Sequence, residues 1–72
     1  MASDVCTLLG ARIRKLRKAR GWRQLDLAEQ AGINENYVSD LELGRKEICL
    51  RTIQAIAGAF EIKIADLMKG IG

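Results

Sequence analysis

Residues 21–43 decide the fold, and they read Gly21-Trp-Arg-Gln-Leu-Asp-Leu-Ala-Glu-Gln-Ala-Gly-Ile-Asn-Glu-Asn-Tyr-Val-Ser-Asp-Leu-Glu-Leu43, followed by Gly44-Arg45-Lys46. Apolar residues recur at helical spacing on both sides of Gly32, and glycine adopts the positive φ of a tight turn at little cost. The pattern therefore predicts two short helices that cross at a glycine turn. The second helix carries polar groups on its outer side. A helix of this kind fits the major groove of duplex DNA and meets base edges there.

This stretch resembles the helix-turn-helix of the phage-repressor-like family. The sequence pattern of that family begins with glycine-hydrophobic-x-Gln-x-x-Leu-Ala-x-x-Ala-Gly. It continues with hydrophobic-x-x-x-hydrophobic-x-x-hydrophobic-Glu-x-Gly. The matching residues here are Gly21, Trp22, Gln24, Leu27, Ala28, Ala31 and Gly32, then Ile33, Tyr37, Val38, Leu41, Glu42 and Gly44. The likeness extends from about Leu9 to Met68. It implies an all-α, five-helix DNA-binding domain with a central helix-turn-helix at about residues 24–43.

Size and composition predict a single helical domain over residues 1–72. Hydrophobic residues make up 49% of the chain and proline is absent, as is typical of a compact helical fold. No apolar run approaches the ~20 residues that span a bilayer, and the N-terminus lacks the pattern of a secretion signal. We therefore expect a cytoplasmic protein that does not insert into a membrane.

Two cysteines and no histidine argue against metal binding and catalysis. Cys6 and Cys49 are too few for a disulfide scaffold and lack the spacing of metal ligands. The chain also has no cofactor-binding loop and no nucleophile beside a base. We expect no metal, no cofactor and no enzymatic activity. A redox role for the two thiols is the alternative to a purely structural one.

Basic and acidic residues are distributed unevenly. Residues 1–23 contain seven basic residues and one acid, Asp4, whereas residues 24–72 contain five basic and eight acidic residues. A basic first third favours a surface that faces phosphates. A solvated helix face that keeps the protein soluble is the other interpretation of the same charges.

The remaining helices follow from periodicity and capping. Helix 1 is expected from about Asp4 to Arg20, with Ser3 as its N-cap. Its buried stripe consists of Val5, Leu9, Ile13 and Leu16. Helix 4 is expected from Leu50 or Arg51 to Ala59, and helix 5 from about Ile64 to Lys69. The predicted buried residues of these two helices are Ile53, Ile56, Ala57, Phe60 and Leu67.

Three of the expected N-cap positions hold unsuitable residues, namely Arg23, Cys49 and Lys63. The loss of a cap costs ~1 kcal/mol, so we expect modest stability. Gly10 and Gly58 do not form a phosphate-binding pattern, and we interpret both as packing positions.

Four polar residues of helix 3 are the candidate base-reading groups. Because Tyr37, Val38 and Leu41 face inward, the residues that point away from the core are Glu35, Asn36, Ser39 and Asp40. An asparagine amide can bond adenine N6 and N7 together, and a carboxylate can accept from cytosine N4. The resemblance implies base contacts at Glu35, Asn36 and Asp40. Ordinary exposed polar residues are the alternative.

Six residues are candidate phosphate contacts: Arg23, Gln24, Tyr37, Arg45, Lys46 and Arg51. The family uses a glutamine at the start of helix 2, here Gln24, to hold the DNA backbone and to support helix 3. Such contacts set affinity and register, not sequence preference.

Helix 3 departs from expectation because it has three acids and no basic residue between Asn34 and Leu43. One of the acids, Glu42, should meet Arg17 where helices 1 and 3 pack, and the family commonly pairs such residues. We therefore assign Arg17 and Glu42 to a structural ion pair and not to DNA.

We expect any dimer contact to lie on this predicted single domain. Ile64, Met68 and Ile71 are apolar residues that a small core has difficulty covering, so we expect a homodimer interface in about residues 62–72. Closing the monomer's own core is the alternative role for these residues.

The sequence thus predicts a homodimeric regulator that binds a palindromic site on double-stranded DNA. It would act by occupying promoter DNA or by contacting RNA polymerase. Its size resembles restriction-modification controller proteins, phage repressors and antitoxins. The alternative function is a protein-interaction adaptor or antitoxin-type module with the same fold, suggested by the acidic helix 3 and the exposed Leu25.

Overall fold

Five α-helices make up the computed structural model, which describes residues 4–71. They are α1 (Val5–Ala19), α2 (Gln24–Ala31), α3 (Glu35–Glu42), α4 (Leu50–Phe60) and α5 (Ile64–Leu67). No strand occurs among these residues, so the all-α prediction is confirmed. The helix α5 ends at Leu67 and is therefore shorter than the periodicity predicted.

The helix α1 begins after Asp4, whose carboxylate accepts a hydrogen bond from the backbone N–H of Cys6 at 2.7 Å. Asp4 is thus an effective N-cap. The predicted cap, Ser3, lies outside the described residues. Of the predicted buried stripe, Leu9 and Ile13 are fully buried and Leu16 is half-buried. The prediction that Val5 is buried was wrong, because this residue in the first turn of α1 is exposed and lines an open groove.

The turn between α2 and α3 has the predicted glycine, since Gly32 ends α2 with φ 70° and ψ 34°. The poor N-caps are also confirmed: Arg23, Cys49 and Lys63 precede α2, α4 and α5 without a side-chain bond to a free backbone N–H. At α2, Asp26 partly compensates, because its carboxylate accepts from the backbone N–H of Arg23 at 2.8 Å.

One core joins all five helices. The helix α3 packs on α1 and α2, α2 packs on α4, and α4 packs on α5. The buried apolar residues are Leu9, Ile13, Leu27, Ala28, Val38, Leu41, Ile56, Ala57, Phe60 and Leu67. The ring of Trp22 stacks on Phe60 at 5.6 Å between centroids, which covers one side of this core. The helix α3 is therefore held on its inner side by two other helices, and its outer side faces solvent.

Candidate nucleic-acid interface

The outer side of α3 carries the four candidate base-reading residues. Glu35 and Asn36 are exposed, and Ser39 and Asp40 are partly exposed. Val38 and Leu41 lie in the core on the opposite side of the helix, with Tyr37 half-buried beside them. At the start of the helix, the Asn34 side chain accepts from the backbone N–H of Asn36 at 2.7 Å. This cap uses only the backbone of Asn36 and leaves its side-chain amide exposed.

Arg17 and Glu42 form a buried ion pair between α1 and α3. The Arg17 Nε and Nη2 atoms donate to the two Glu42 carboxylate oxygens at 2.6 and 3.0 Å. The remaining Arg17 nitrogen, Nη1, donates to the carbonyl of Trp22 at 2.8 Å. The hydrogen bond to Glu42 raises the pKa of Arg17 against the opposing effect of burial. Glu42 is therefore occupied within the fold.

Gln24 belongs to the same network. As the first residue of α2, it donates from its side-chain Nε2 to the Glu42 Oε1 at 3.1 Å. Glu42 thus receives bonds from α1 and from α2 while lying at the end of α3. This arrangement fixes the orientation of α3 relative to α1 and α2. It also holds the Gln24 side chain at the N-terminus of α2, where backbone N–H groups favour an anion.

Besides Gln24, two more of the candidate phosphate contacts have carboxylate partners. The Arg23 guanidinium donates to Asp26 at 3.1 and 3.2 Å, and the Lys46 Nζ lies 3.8 Å from an Asp40 oxygen. Arg45 is exposed, and no carboxylate within residues 4–71 lies within 4.0 Å of it. The three-residue spacing of Arg23 and Asp26 was a visible signal for pairing. The Lys46–Asp40 contact crosses a turn, and no sequence pattern indicated it.

Arg51, in the first turn of α4, is exposed. It lines a shallow groove on α4 and α5 together with Leu50, Gln54 and Ile64. Arg51 therefore borders a surface that includes the apolar side chains of Leu50 and Ile64.

The basic first third of the chain is not a uniform phosphate-facing flank. Arg12 donates to the carbonyl of Asp66 at 2.9 Å, and Arg20 donates to the carbonyl of Phe60. The Arg20 guanidinium also lies over the rings of Trp22 and Phe60. These arginines, like Arg17, hold α1 against the rest of the fold. Carbonyls near helix C-termini attract cations, but contacts so distant in sequence left no local signal.

Gly10 marks the close approach of α1 to α3. A Cβ added there would lie 2.2 Å from the carbonyl oxygen of Leu41, so the predicted packing role of Gly10 is confirmed. The same prediction for Gly58 was wrong, because nothing lies within 4 Å of its would-be Cβ.

The three predicted interface residues differ in exposure and line different grooves. Ile64 is 39% exposed and shares the α4–α5 groove with Leu50, which is 73% exposed. Met68 and Ile71 are half-buried and pack against the core, lining a separate groove of about 280 Å³ with Val5. The reason is the shortness of α5, because the chain turns after Leu67 and directs the following residues toward α1.

The two cysteines are free and differ in environment. Desolvation, and then the hydrogen bond and charge of Asp4, raise the pKa of Cys6. At the start of α4, the side-chain hydrogen bond with Thr52 at 3.2 Å, and then backbone N–H groups, lower the pKa of Cys49.

Among residues 4–71, no helix is long and apolar enough to cross a bilayer.

The glycine turn, the exposed outer face of α3 and the buried support behind it define a helix-turn-helix domain. The family model described as Helix-turn-helix matches residues 13–67. The chain belongs to this helix-turn-helix family, which confirms the resemblance read from residues 21–44.

Named relatives agree with that membership. The chain is 43% identical over 60 residues to the HTH-type transcriptional regulator DdrOP3 of Deinococcus deserti, covering 83% of this chain and 46% of that protein. It is 37% identical over 60 residues to the immunity repressor protein of Bacillus phage phi105, covering 83% and 42%. The chain thus spans less than half the length of these two relatives.

A solved structure matches over nearly its whole length. The restriction-modification controller protein C.AhdI of Aeromonas hydrophila superposes with a TM-score of 0.84 at 34% sequence identity, covering 86% of this chain and 94% of that one. The five-helix architecture is therefore that of a solved regulator of similar size.

Proposed function

We propose that the protein is a sequence-specific, double-stranded DNA-binding transcription regulator that acts as a homodimer on a palindromic operator. The helix α3 enters the major groove, and Asn36 reads bases there, with Glu35, Ser39 and Asp40 beside it. Bound protein regulates by occupying promoter DNA or by contacting RNA polymerase.

The observation that carries the proposal is the bond network behind α3. Arg17 and Gln24 both bind Glu42, so the one acid of α3 that faces inward is neutralised while the outer polar face stays exposed. A base-reading helix needs this combination of a fixed orientation and exposed polar groups. Arg45 and Lys46 follow the helix where phosphates would lie beside it, and Tyr37 and Arg23 flank the same surface.

The names of the relatives support a regulator, since they describe a transcriptional regulator, a phage immunity repressor and a restriction-modification controller. The controller is similar over 94% of its chain, which favours a regulator of that kind.

Selection of bound duplexes from a random DNA pool tests the proposal. We expect an enriched palindrome whose half-sites are centred ~10 base pairs apart or a multiple of that. An enriched motif without two-fold symmetry would support base reading but contradict binding as a homodimer. Retention that is salt-sensitive but shows no enriched motif would remove sequence-specific reading altogether.

For the homodimer, the α4–α5 groove is the best-supported contact surface. Leu50 and Ile64 lie together there and are exposed, unlike Met68 and Ile71. Leu50→Glu should therefore convert a dimer into a monomer in sedimentation analysis, because a carboxylate cannot be buried unpaired in an apolar interface. The matched control is Leu43→Glu, at an exposed leucine outside this groove. Dissociation by both variants, or by neither, would argue against this surface.

A protein-interaction adaptor is the second candidate function, favoured by the 37% exposure of Leu25 on α2. Equal binding of duplex DNA and heparin, without an enriched motif, is the result that would favour it.

A further inference from the structure

Arg23, which precedes α2, and Lys46, which contacts Asp40 of α3, are each held by a carboxylate. Arg23 precedes α2 and pairs with Asp26, and Lys46 follows α3 and pairs with Asp40. Both cations are largely exposed, at 76% and 59% of their side-chain surface. A phosphate that approaches either cation must therefore compete with an acid of the protein itself.

The Lys46–Asp40 pair follows from a defined turn. The backbone N–H of Gly44 donates to the carbonyl of Leu41, and the backbone N–H of Arg45 donates to the carbonyl of Asp40 at 2.9 Å. Gly44 has φ 71° and lies directly against Thr7 of α1. These contacts turn the chain back over the last turn of α3, which brings Lys46 above Asp40.

The carboxylates of Asp26 and Asp40 differ in the hydrogen-bond donors that they keep after the paired cation has moved to a phosphate. Asp26 keeps a partner on any DNA, because it still accepts from the backbone N–H of Arg23 at 2.8 Å. Asp40 lies on the outer side of α3, and no backbone N–H within residues 4–71 donates to its carboxylate. It regains a partner only where a base amino group, cytosine N4 or adenine N6, lies opposite, and elsewhere it stays an unpaired charge near phosphates.

We propose that Asp40 is a specificity-determining residue that acts through Lys46. The pair keeps Lys46 from binding a phosphate unless the DNA sequence offers Asp40 a hydrogen-bond donor on a base. On the operator, Lys46 exchanges Asp40 for a phosphate while Asp40 accepts from a base. On other duplexes the exchange leaves Asp40 unpaired, so Lys46 contributes little. This inference rests on the proposed function, because it assumes that the outer face of α3 meets base edges.

The Asp40→Asn variant tests the proposal directly. We expect it to bind a scrambled duplex about three- to tenfold more tightly than the parent, because Lys46 is released and a repulsive charge is removed. Its affinity for the selected operator should stay level or fall, so the ratio of operator to scrambled binding drops. On the scrambled duplex the salt dependence should steepen by ~1 unit of slope, as expected for one more neutralised phosphate.

Asp26→Asn is the matched control, since its amide oxygen still accepts from the Arg23 backbone. It should tighten binding to both duplexes by the same factor and leave the ratio unchanged. A parallel fall in the ratio for both variants would overturn the assignment to Asp40, because general charge reduction would then explain it.

A double-mutant cycle separates release of Lys46 from simple repulsion. The gain of Asp40→Asn on the scrambled duplex should shrink sharply in a Lys46→Ala background, and it should persist in an Arg45→Ala background, because Arg45 has no acidic partner among the described residues. A gain that persists without Lys46 overturns the proposal. Failure of the parent protein to bind any duplex would overturn the proposed function and this inference together, whereas an enriched operator with an unchanged ratio would overturn only the inference.

Discussion

Two ion pairs on α3, two residues apart in sequence, have opposite characters. The Glu42–Arg17 pair is buried, has two short hydrogen bonds and connects α3 to α1. The Asp40–Lys46 pair is exposed, has a single contact at 3.8 Å and connects α3 only to the turn that follows it. The first lies on the packed side of the helix and the second on the side that faces solvent.

The difference follows from solvent. A buried pair cannot exchange its partner for water, so removing one charge leaves the other desolvated. An exposed pair contributes roughly 0–1 kcal/mol, because water and salt replace either partner readily. Position on the helix therefore separates an acid that stabilises the fold from one that can readily exchange its partner.

Removal of the buried charge should have the largest effect. Glu42→Gln keeps the shape of the side chain but leaves the Arg17 guanidinium buried without a counter-charge. We expect a loss of about 3–5 kcal/mol in the free energy of unfolding, measured by urea denaturation. Asp40→Asn is the control and should change stability by no more than about 0.5 kcal/mol. Similar losses for the two variants would show that the distinction between the pairs is mistaken.

A pair of glycines extends the comparison from charge to packing. Gly10→Ala places a methyl group against the carbonyl of Leu41 on the packed side, and we expect a loss of roughly 1–3 kcal/mol. Gly58→Ala adds the same methyl group in open space on α4, where the gain in helix propensity should stabilise by roughly 0.5–1 kcal/mol. Thermal unfolding of both variants measures the two signs. Equal shifts would mean that α1 and α3 approach less closely than the structure shows.

Local patterns predicted most of the fold. The bounds of α2 and the turn at Gly32 follow from apolar spacing and one glycine, both of which are local properties. The poor caps at Arg23, Cys49 and Lys63 were likewise visible in sequence. The predicted burial of Val5 was wrong because the apolar periodicity continues to the end of α1, whereas the core does not extend that far.

Contacts between distant residues were harder to predict. Arg17 and Glu42 could be matched because both flank buried stripes. Arg12 and Arg20 could not, because they bind backbone carbonyls of α5 and α4, which no side-chain pattern reveals. The charge asymmetry of the chain consequently indicated phosphate contacts where the structure has internal hydrogen bonds. A similar limit applies to Asp40 and Lys46, whose contact depends on the direction of a turn.

The exposed side of α3 should affect binding without affecting stability. Asn36→Ala keeps the α3 cap, which uses only the Asn36 backbone N–H. We expect it to cost about 1–3 kcal/mol of binding at the selected operator and to relax preference at one position of each half-site. Fluorescence anisotropy with the operator and with single-base variants measures both effects, and urea denaturation should give an unchanged free energy of unfolding. A uniform loss on all duplexes would mean that Asn36 contacts the backbone and not a base.

The smallest effect concerns the two thiols, which repeat the contrast between packed and exposed surroundings. Desolvation and the nearby Asp4 raise the pKa of Cys6, whereas the hydrogen bond with Thr52 lowers the pKa of Cys49. Because the thiolate is the reactive form, Cys49 should be alkylated by iodoacetamide faster than Cys6, and the ratio of rates should be largest below neutral pH. Peptide mass spectrometry after brief labelling measures both rates, with Thr52→Val as the control that should slow Cys49 alone. Equal rates in the parent protein would show that the hydrogen bond with Thr52 does not persist in solution, and the start of α4 would then lack even this weak substitute for a cap.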